Sequence, residues 1–271
     1  VRVLLTNDDG LAAPGLQALR RALLGVDGVE LDVIAPDSNR SATARSITTR
    51  SPLWVEEVRF DDGTVGHATD GTPVDCVRFA EIGLLDSRPE LIVSGINHGA
   101  NLGDDVTYSG TVAAALEGVI LGLPALAFSQ QSARGEMNFR TGAEFDFSCS
   151  PRLAAAMVAH VIEHGMPAGT VINVNIPAGE PKGIEVTRLG KRLYEDELRL
   201  VEESEAGGRK RYEIYGFEPN FEDEPGTDLA AIARGRVAVT PIHFDLTDHG
   251  ELETVGGWDL EAMLAAPKAG G

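Results

Sequence analysis

Cysteine is scarce in this chain: Cys76 and Cys149 are the only two in 271 residues. Two thiols so far apart supply neither a disulfide framework nor a cysteine-rich zinc cluster, and they read as buried free thiols. Positive charge is also short, with 23 Lys and Arg against 42 Asp and Glu and a formal net charge of −19. That balance argues against a nucleic-acid polymer as partner, because phosphate-backbone contacts need Lys and Arg. A small phosphorylated substrate stays open, since a bound cation supplies positive charge locally. No apolar run reaches the ~18–20 residues that cross a bilayer, and no basic stretch followed by an apolar core opens the chain. The expectation is a cytoplasmic protein without a membrane partner. What remains is a composition 43% hydrophobic, enough for one large α/β domain or a domain with an appendage.

The N-terminus sets the organisation. Val1, Val3, Leu4 and Leu5 make a short aliphatic run, as a strand buried on both faces of a parallel sheet does. A helix over about 14–25 follows, opened by Pro14 and carrying Leu16, Leu19, Leu23 and Leu24 at helical spacing. Residues 29–35 read as the second strand, completing a βαβ unit and hence a parallel sheet. Short alternating pieces over 47–70 suggest a hairpin. Thr72 and Pro73 open a helix that continues through Val74, Val77, Arg78 and Ile82. Residues 90–94 read as a third strand, Val112–Ile120 as a helix rich in small residues, and 124–129 as a fourth strand. Beyond 130 the pattern predicts a helix over 151–164, strands over 171–176 and 236–242, and a short helix over 258–265. Residues 184–217 read as a hairpin with few large aliphatics, too poor in core to stand alone, so an arm that packs on something else.

Oxygen-bearing side chains gather where the strands should end. Asp8 and Asp9 follow the first strand, Asn39 and Ser41 the second, Asn97 and Asn101 the third. Parallel strands put these ends on one edge of the sheet, where open α/β sheets bind ligands. Adjacent carboxylates repel unless something positive lies between them. Carboxylates, amide oxygens and a hydroxyl suit magnesium, manganese or calcium rather than a structural zinc. Ser109, Gly110 and Thr111 stand at a helix start, where free N–H groups and the dipole attract an anion. A cation beside an anion nest is the minimal apparatus for moving a phosphoryl group to water. Each piece has a plainer reading. Residues 7–10 suit a solvated turn, Ser109 and Thr111 a helix cap, Asn39 and Asn101 turn positions. His67 and His98 read as surface or hydrogen-bonded histidines, and Arg40 as either a solvated loop charge or a phosphate partner. The joint occurrence at three strand ends favours the site.

Four stretches together resemble the SurE family of survival proteins: Leu4–Gly10 with Ala13-Pro14-Gly15, Ala35–Ser41, Gly71–Val77, and Ser94–Asn97 through Gly103–Ala115. The likeness is dense over 1–130 and looser beyond. It implies a Rossmann-like core with helices on both faces over 1–130. It further implies a C-terminal part over 131–271 that completes the sheet and carries a hairpin exchanged between subunits, giving a homodimer or homotetramer. The activity it implies is a divalent-metal-dependent 5′/3′-nucleotidase acting on nucleoside monophosphates, in some members also on short polyphosphate. By the same resemblance one cation per subunit, magnesium or manganese, falls to Asp8, Asp9, Ser41 and Asn97. Phosphate contacts fall to Asn101, Ser109, Gly110 and Thr111, with Asn39 in the metal-site loop. His98 has no counterpart role. Other classes fit less well. Asp8 as a covalent nucleophile suits an Asp-x-Asp strand end, and here the carboxylates are adjacent. A dinucleotide-dependent oxidoreductase needs Gly-x-Gly-x-x-Gly at the first turn, which residues 7–15 lack. A nucleotide sensor without turnover is separable only by assay.

Overall fold

In the computed structural model, which describes residues 1–136, 143–193, 198–203, 208–213 and 220–265, one large sheet carries the chain. Strand β1 (Arg2–Thr6), helix α1 (Pro14–Leu23) and β2 (Glu30–Pro36) form the expected βαβ unit, and β3 (Val55–Arg59) and β4 (Val65–Thr69) the expected hairpin. Helix α2 (Pro73–Ile82), β5 (Leu91–His98), a 3₁₀ turn at Gly103–Thr107, α3 (Gly110–Ile120) and β6 (Ala125–Gln130) follow. Next come α4 (Ser150–His164), β7 (Thr170–Ile176), β8 (Ile184–Val186), β9 (Arg192–Leu193), β10 (Arg199–Glu203) and β11 (Lys210–Glu213). The chain continues through β12 (Asn220–Phe221), α5 (Asp228–Ala233), β13 (Val237–His243), α6 (Leu252–Gly256) and α7 (Leu260–Ala265). The strand order is β3-β4-β2-β1-β5-β6-β7-β13-β8. From β4 to β7 every pair is parallel; β3 at one end runs antiparallel to β4, and at the other β13 runs antiparallel to β7 with β8 parallel to β13 at the edge.

Alternation along the strands divides the core into two layers. Val3 and Leu5, Val33 and Ala35, Leu91 and Val93 join the layer that holds α1 and α4. Leu4, Ile34 and Ile92 join the layer that holds α2 and α3. On that second face the sheet offers small residues, Ala125 and Ala127, and α3 offers Ala114 and Ala115. A Cβ on Gly118 would stand 2.5 Å from Ile92 Cγ1. Small residues on both sides bring α3 close to the sheet, and its first turn therefore lands on the end of β1. Helix α2 starts as its sequence predicts: Thr72 accepts from the Asp75 N–H, Asp75 accepts from the Thr72 N–H, and Pro73 fills the first turn.

Three features differ from the sequence expectation. The third strand does not stop at Ser94 but runs to His98, with its register to β6 shifting between Ser94 and Asn97. Gly95 makes this bulge possible: its φ is +132°, and a Cβ there would lie 2.3 Å from the Phe128 carbonyl oxygen. The expected 184–217 hairpin divides. Its first limb, β8, pairs with β13 at the sheet edge, β9 pairs with β12, and only β10 and β11 form an exposed antiparallel hairpin. Residues 194–197, 204–207 and 214–217 of that stretch lie outside the described residues. The helix expected over 258–265 starts at Leu260, and a further short helix, α6, precedes it. No described helix is long and apolar enough to cross a membrane. Cys76 is buried, and burial pushes its thiol well above its ordinary range; Cys149 is half-buried.

Candidate active site

Asp8 and Asp9 sit in the bend that follows β1, and different elements hold their side chains. Asp8 turns toward α3. Its Oδ1 accepts the Thr111 hydroxyl at 2.5 Å, and the Thr111 N–H also points to it. A Cβ on Gly110 would lie 2.7 Å from Asp8 Cβ, so only glycine lets the helix start this close. Asp9 turns toward the α1 layer. Its Oδ2 accepts the His98 N–H at 2.9 Å, and its Oδ1 accepts the Asn39 amide at 3.3 Å. The turn holding both is braced by Asn7, whose side chain accepts from the Gly10 N–H and donates to the Gly10 carbonyl.

Asp8 is 3% exposed and the Asp9 side chain 4%, yet neither meets a Lys or Arg among the described residues. Burial first, and for Asp8 the neighbouring Asp9 charge second, raises both carboxyls to about 6. Such a pair wants a cation. Among the described residues no group of three or more His, Cys, Asp or Glu could hold a metal. The donor set here is therefore two carboxylates supplemented by neutral oxygens, which fits a hard divalent ion and not a thiolate- or imidazole-bound one.

The loop after β2 lies over the pair. The Arg40 N–H donates to the Asp8 carbonyl at 2.7 Å, and the Ser41 N–H donates to Asn39 Oδ1 at 2.9 Å. Ser41 itself is exposed. The Arg40 guanidinium braces the loop, donating to Asp37 and to the Asp70 carbonyl at 3.0 Å each. Farther along, Arg45 reaches the buried Glu117 of α3 at 2.7 Å, and Thr48 donates to Asp75 of α2. Asn97, 4% exposed, has its amide nitrogen on the Gly99 carbonyl, so its oxygen is the atom left for a cation. Ser109 caps α3, accepting from the Val112 N–H. Asn101 is held within the fold: its amide donates to Ser129, its N–H donates to Asn175, and its carbonyl accepts from Asn173 and Asn175. Thus Asp8, Asp9, Asn39, Gly110 and Thr111 come into direct contact. Ser109 and Thr111 use their hydroxyls on the protein, and Asn101 joins a buried amide cluster at the ends of β6 and β7.

His98 belongs to the site although nothing in its glycine-rich setting announced it. Its Nε2 accepts from the Gly15 N–H at 3.3 Å, which leaves Nδ1 facing Asp9 Oδ1 at 3.8 Å. Burial pulls its pKa below the ordinary value, opposed by the Asp8 charge. Phe145 and Phe147 flank its ring. The sequence reading also passed over Asn173 and Asn175. Two amides at buried positions of an otherwise aliphatic strand were the available signal. His67 sits in β4, opposite Ile34.

A family model described as Survival protein SurE matches residues 3–196. A protein of Rubrobacter xylanophilus named 5′-nucleotidase SurE is 47% identical over 268 residues, covering 97% of this chain and 99% of that protein. One of the same name from Myxococcus xanthus is 46% identical, covering 97% of this chain and 95% of that protein. Among solved structures, the SurE protein from Aquifex aeolicus superposes with a TM-score of 0.76 at 38% identity, covering 94% of this chain and 98% of that one.

Proposed function

The chain belongs to the SurE family, and from that premise we propose that it is a 5′-nucleotidase, dependent on a divalent cation, that releases phosphate from nucleoside monophosphates. The observation that carries this is the Asp8–Asp9 pair, buried just past a strand end beneath the first turn of α3, with no Lys or Arg partner among the described residues. One magnesium or manganese per subunit would be held by Asp8 and Asp9, with Asn97 and Ser41 supplying neutral oxygens. Bound there, the cation supplies Lewis-acid polarisation of the phosphate and charge neutralisation in the transition state.

The chain's own groups do the rest. The α3 N-terminus orients an anion through the Gly110 N–H and the helix dipole, with Ser109 fixing the first turn. Thr111 acts through Asp8, holding that carboxylate in one rotamer. Asn39 does the same for Asp9, and Asn101 keeps the ends of β6 and β7 in register beside Asn97. With both carboxylates committed to a cation, neither would be a good nucleophile toward phosphorus. Water is therefore the nucleophile. The arm at β10–β11 is proposed to exchange between subunits in a homodimer or homotetramer.

The test is phosphate release from a panel of nucleoside 5′- and 3′-monophosphates, glycerol phosphate and short polyphosphate, with magnesium, manganese or EDTA. Cation-dependent release from the nucleotides is expected. Full activity in EDTA, with metal analysis showing none bound, overturns the reading; release from polyphosphate extends it.

A further inference from the structure

We propose that Phe145, backed by His98, is the shelf on which the substrate's nucleobase stacks; this rests on the nucleotidase reading above. The two rings lie 20° from parallel with centroids 5.0 Å apart. Phe147 closes the cluster, 5.2 Å from His98 and 6.1 Å from Phe145. The three rings are not equivalent. Phe147 packs against the α1–α4 layer, its ring 3.1 Å from where a Cβ on Gly15 would stand. His98 is fixed from both sides, by Gly15 at Nε2 and by Asp9 at its N–H. Phe145 comes from the segment between β6 and α4, is half-buried, and joins none of the hydrophobic clusters of the described residues. A ring held parallel to a fixed neighbour without belonging to a core is placed to offer a π-face to a planar ligand.

Position names the ligand. His98 bonds directly to Asp9, so the shelf begins beside the carboxylate pair, on the face of the sheet opposite α3. A phosphate ester bound at the carboxylate pair has His98 as its neighbour on the Asp9 side. A nucleoside attached there carries its base to Phe145, whereas glycerol phosphate has no ring to place on it. The other flank of the site offers a competitor, Trp54, 82% exposed and tied through Asp70 to the Arg40 loop.

The experiment compares kcat/KM for adenosine monophosphate with kcat/KM for glycerol phosphate, in the wild type, Phe145→Leu, Phe145→Tyr and Trp54→Ala. The ratio is internal to each preparation, so a partly unfolded fraction cancels. Loss of one base–aromatic stack predicts that Phe145→Leu lowers the ratio about tenfold, chiefly through KM for the nucleotide, and that Phe145→Tyr restores it. An unaltered ratio in Phe145→Leu, or a selective loss in Trp54→Ala instead, overturns the shelf while leaving the nucleotidase reading in place. A wild type inactive on adenosine monophosphate and the other nucleotides overturns both.

Discussion

Asp8 and Asp9 each cost the fold stability when no cation is present. In the unfolded chain both ionise near 3.8, while in the folded protein both are held at about 6. Between those values the folded state binds more protons than the unfolded one, so stability falls as pH rises through that window and stays lower above it. In EDTA, Asp8→Asn is therefore expected to melt above the wild type at pH 7.5, with the gap closing toward pH 4.5. Adding manganese should raise the wild-type melting temperature at pH 7.5 and leave Asp8→Asn nearly where it was. The same substitution, and Asp9→Asn, should lower activity by about 10²–10³-fold, the scale of losing one preorganised charge-stabilising group. The identity of the nucleophile is decided at the same two residues. A single turnover in ¹⁸O-labelled water, with enzyme in excess, should put the label into phosphate and leave the protein unlabelled. Label in an Asp8 or Asp9 carboxylate, or an acid-trapped phosphopeptide containing Asp8, would establish the covalent route.

Strand β5 and helix α3 aim what the residues do. The bulge at Gly95 redirects Asn97 and His98 so that strand pairing with β6 resumes beyond it. Gly95→Ala forces a side chain onto a φ of +132° and into the Phe128 carbonyl. It should destabilise the protein by about 3 kcal/mol, measured by urea unfolding, and lower activity by more than the folded fraction explains. Much at this scale was legible beforehand. Leu4–Leu5, the Thr72-Pro73 cap and the small residues of α3 each act locally, and each formed the element its pattern predicts. The bulge was not legible, because a glycine after a strand reads as the strand's end, and only pairing with β6 shows that it continues. The fates of Thr111 and Asn101 were hidden for a related reason. A hydroxyl at a helix start and an amide in a glycine-rich loop show no partner until Asp8 and Asn175 are brought from elsewhere in the chain. His98 was legible as a residue but not as a neighbour of Phe145, 47 positions on.

For the molecule as a whole, the outer hairpin lacks a core of its own among the described residues. Leu198, Leu200, Val201 and Tyr212 are 45–68% exposed on it. Its root is firmly held: Arg192, with its side chain fully buried, pairs with Asp105 in the turn that leads to α3. Deleting residues 194–214 should lower the oligomeric state seen by sedimentation, and an intact chain that is monomeric at micromolar concentration would refute the exchanged arm. One further consequence follows from Asp8 and Asp9 being held by different layers. The pair works as a vice, with one jaw set by the α2–α3 layer and the other by the α1–α4 layer. Thr111 of α3 positions Asp8, while His98, itself tied to Gly15 at the start of α1, positions Asp9, so each layer shims its own side. Machining errors in two independent shims add, so a slack core on either side opens the gap, and an overfilled core opposite can take up the play. Distant volume changes in the two layers should therefore compensate in cation affinity, even between residues that never touch.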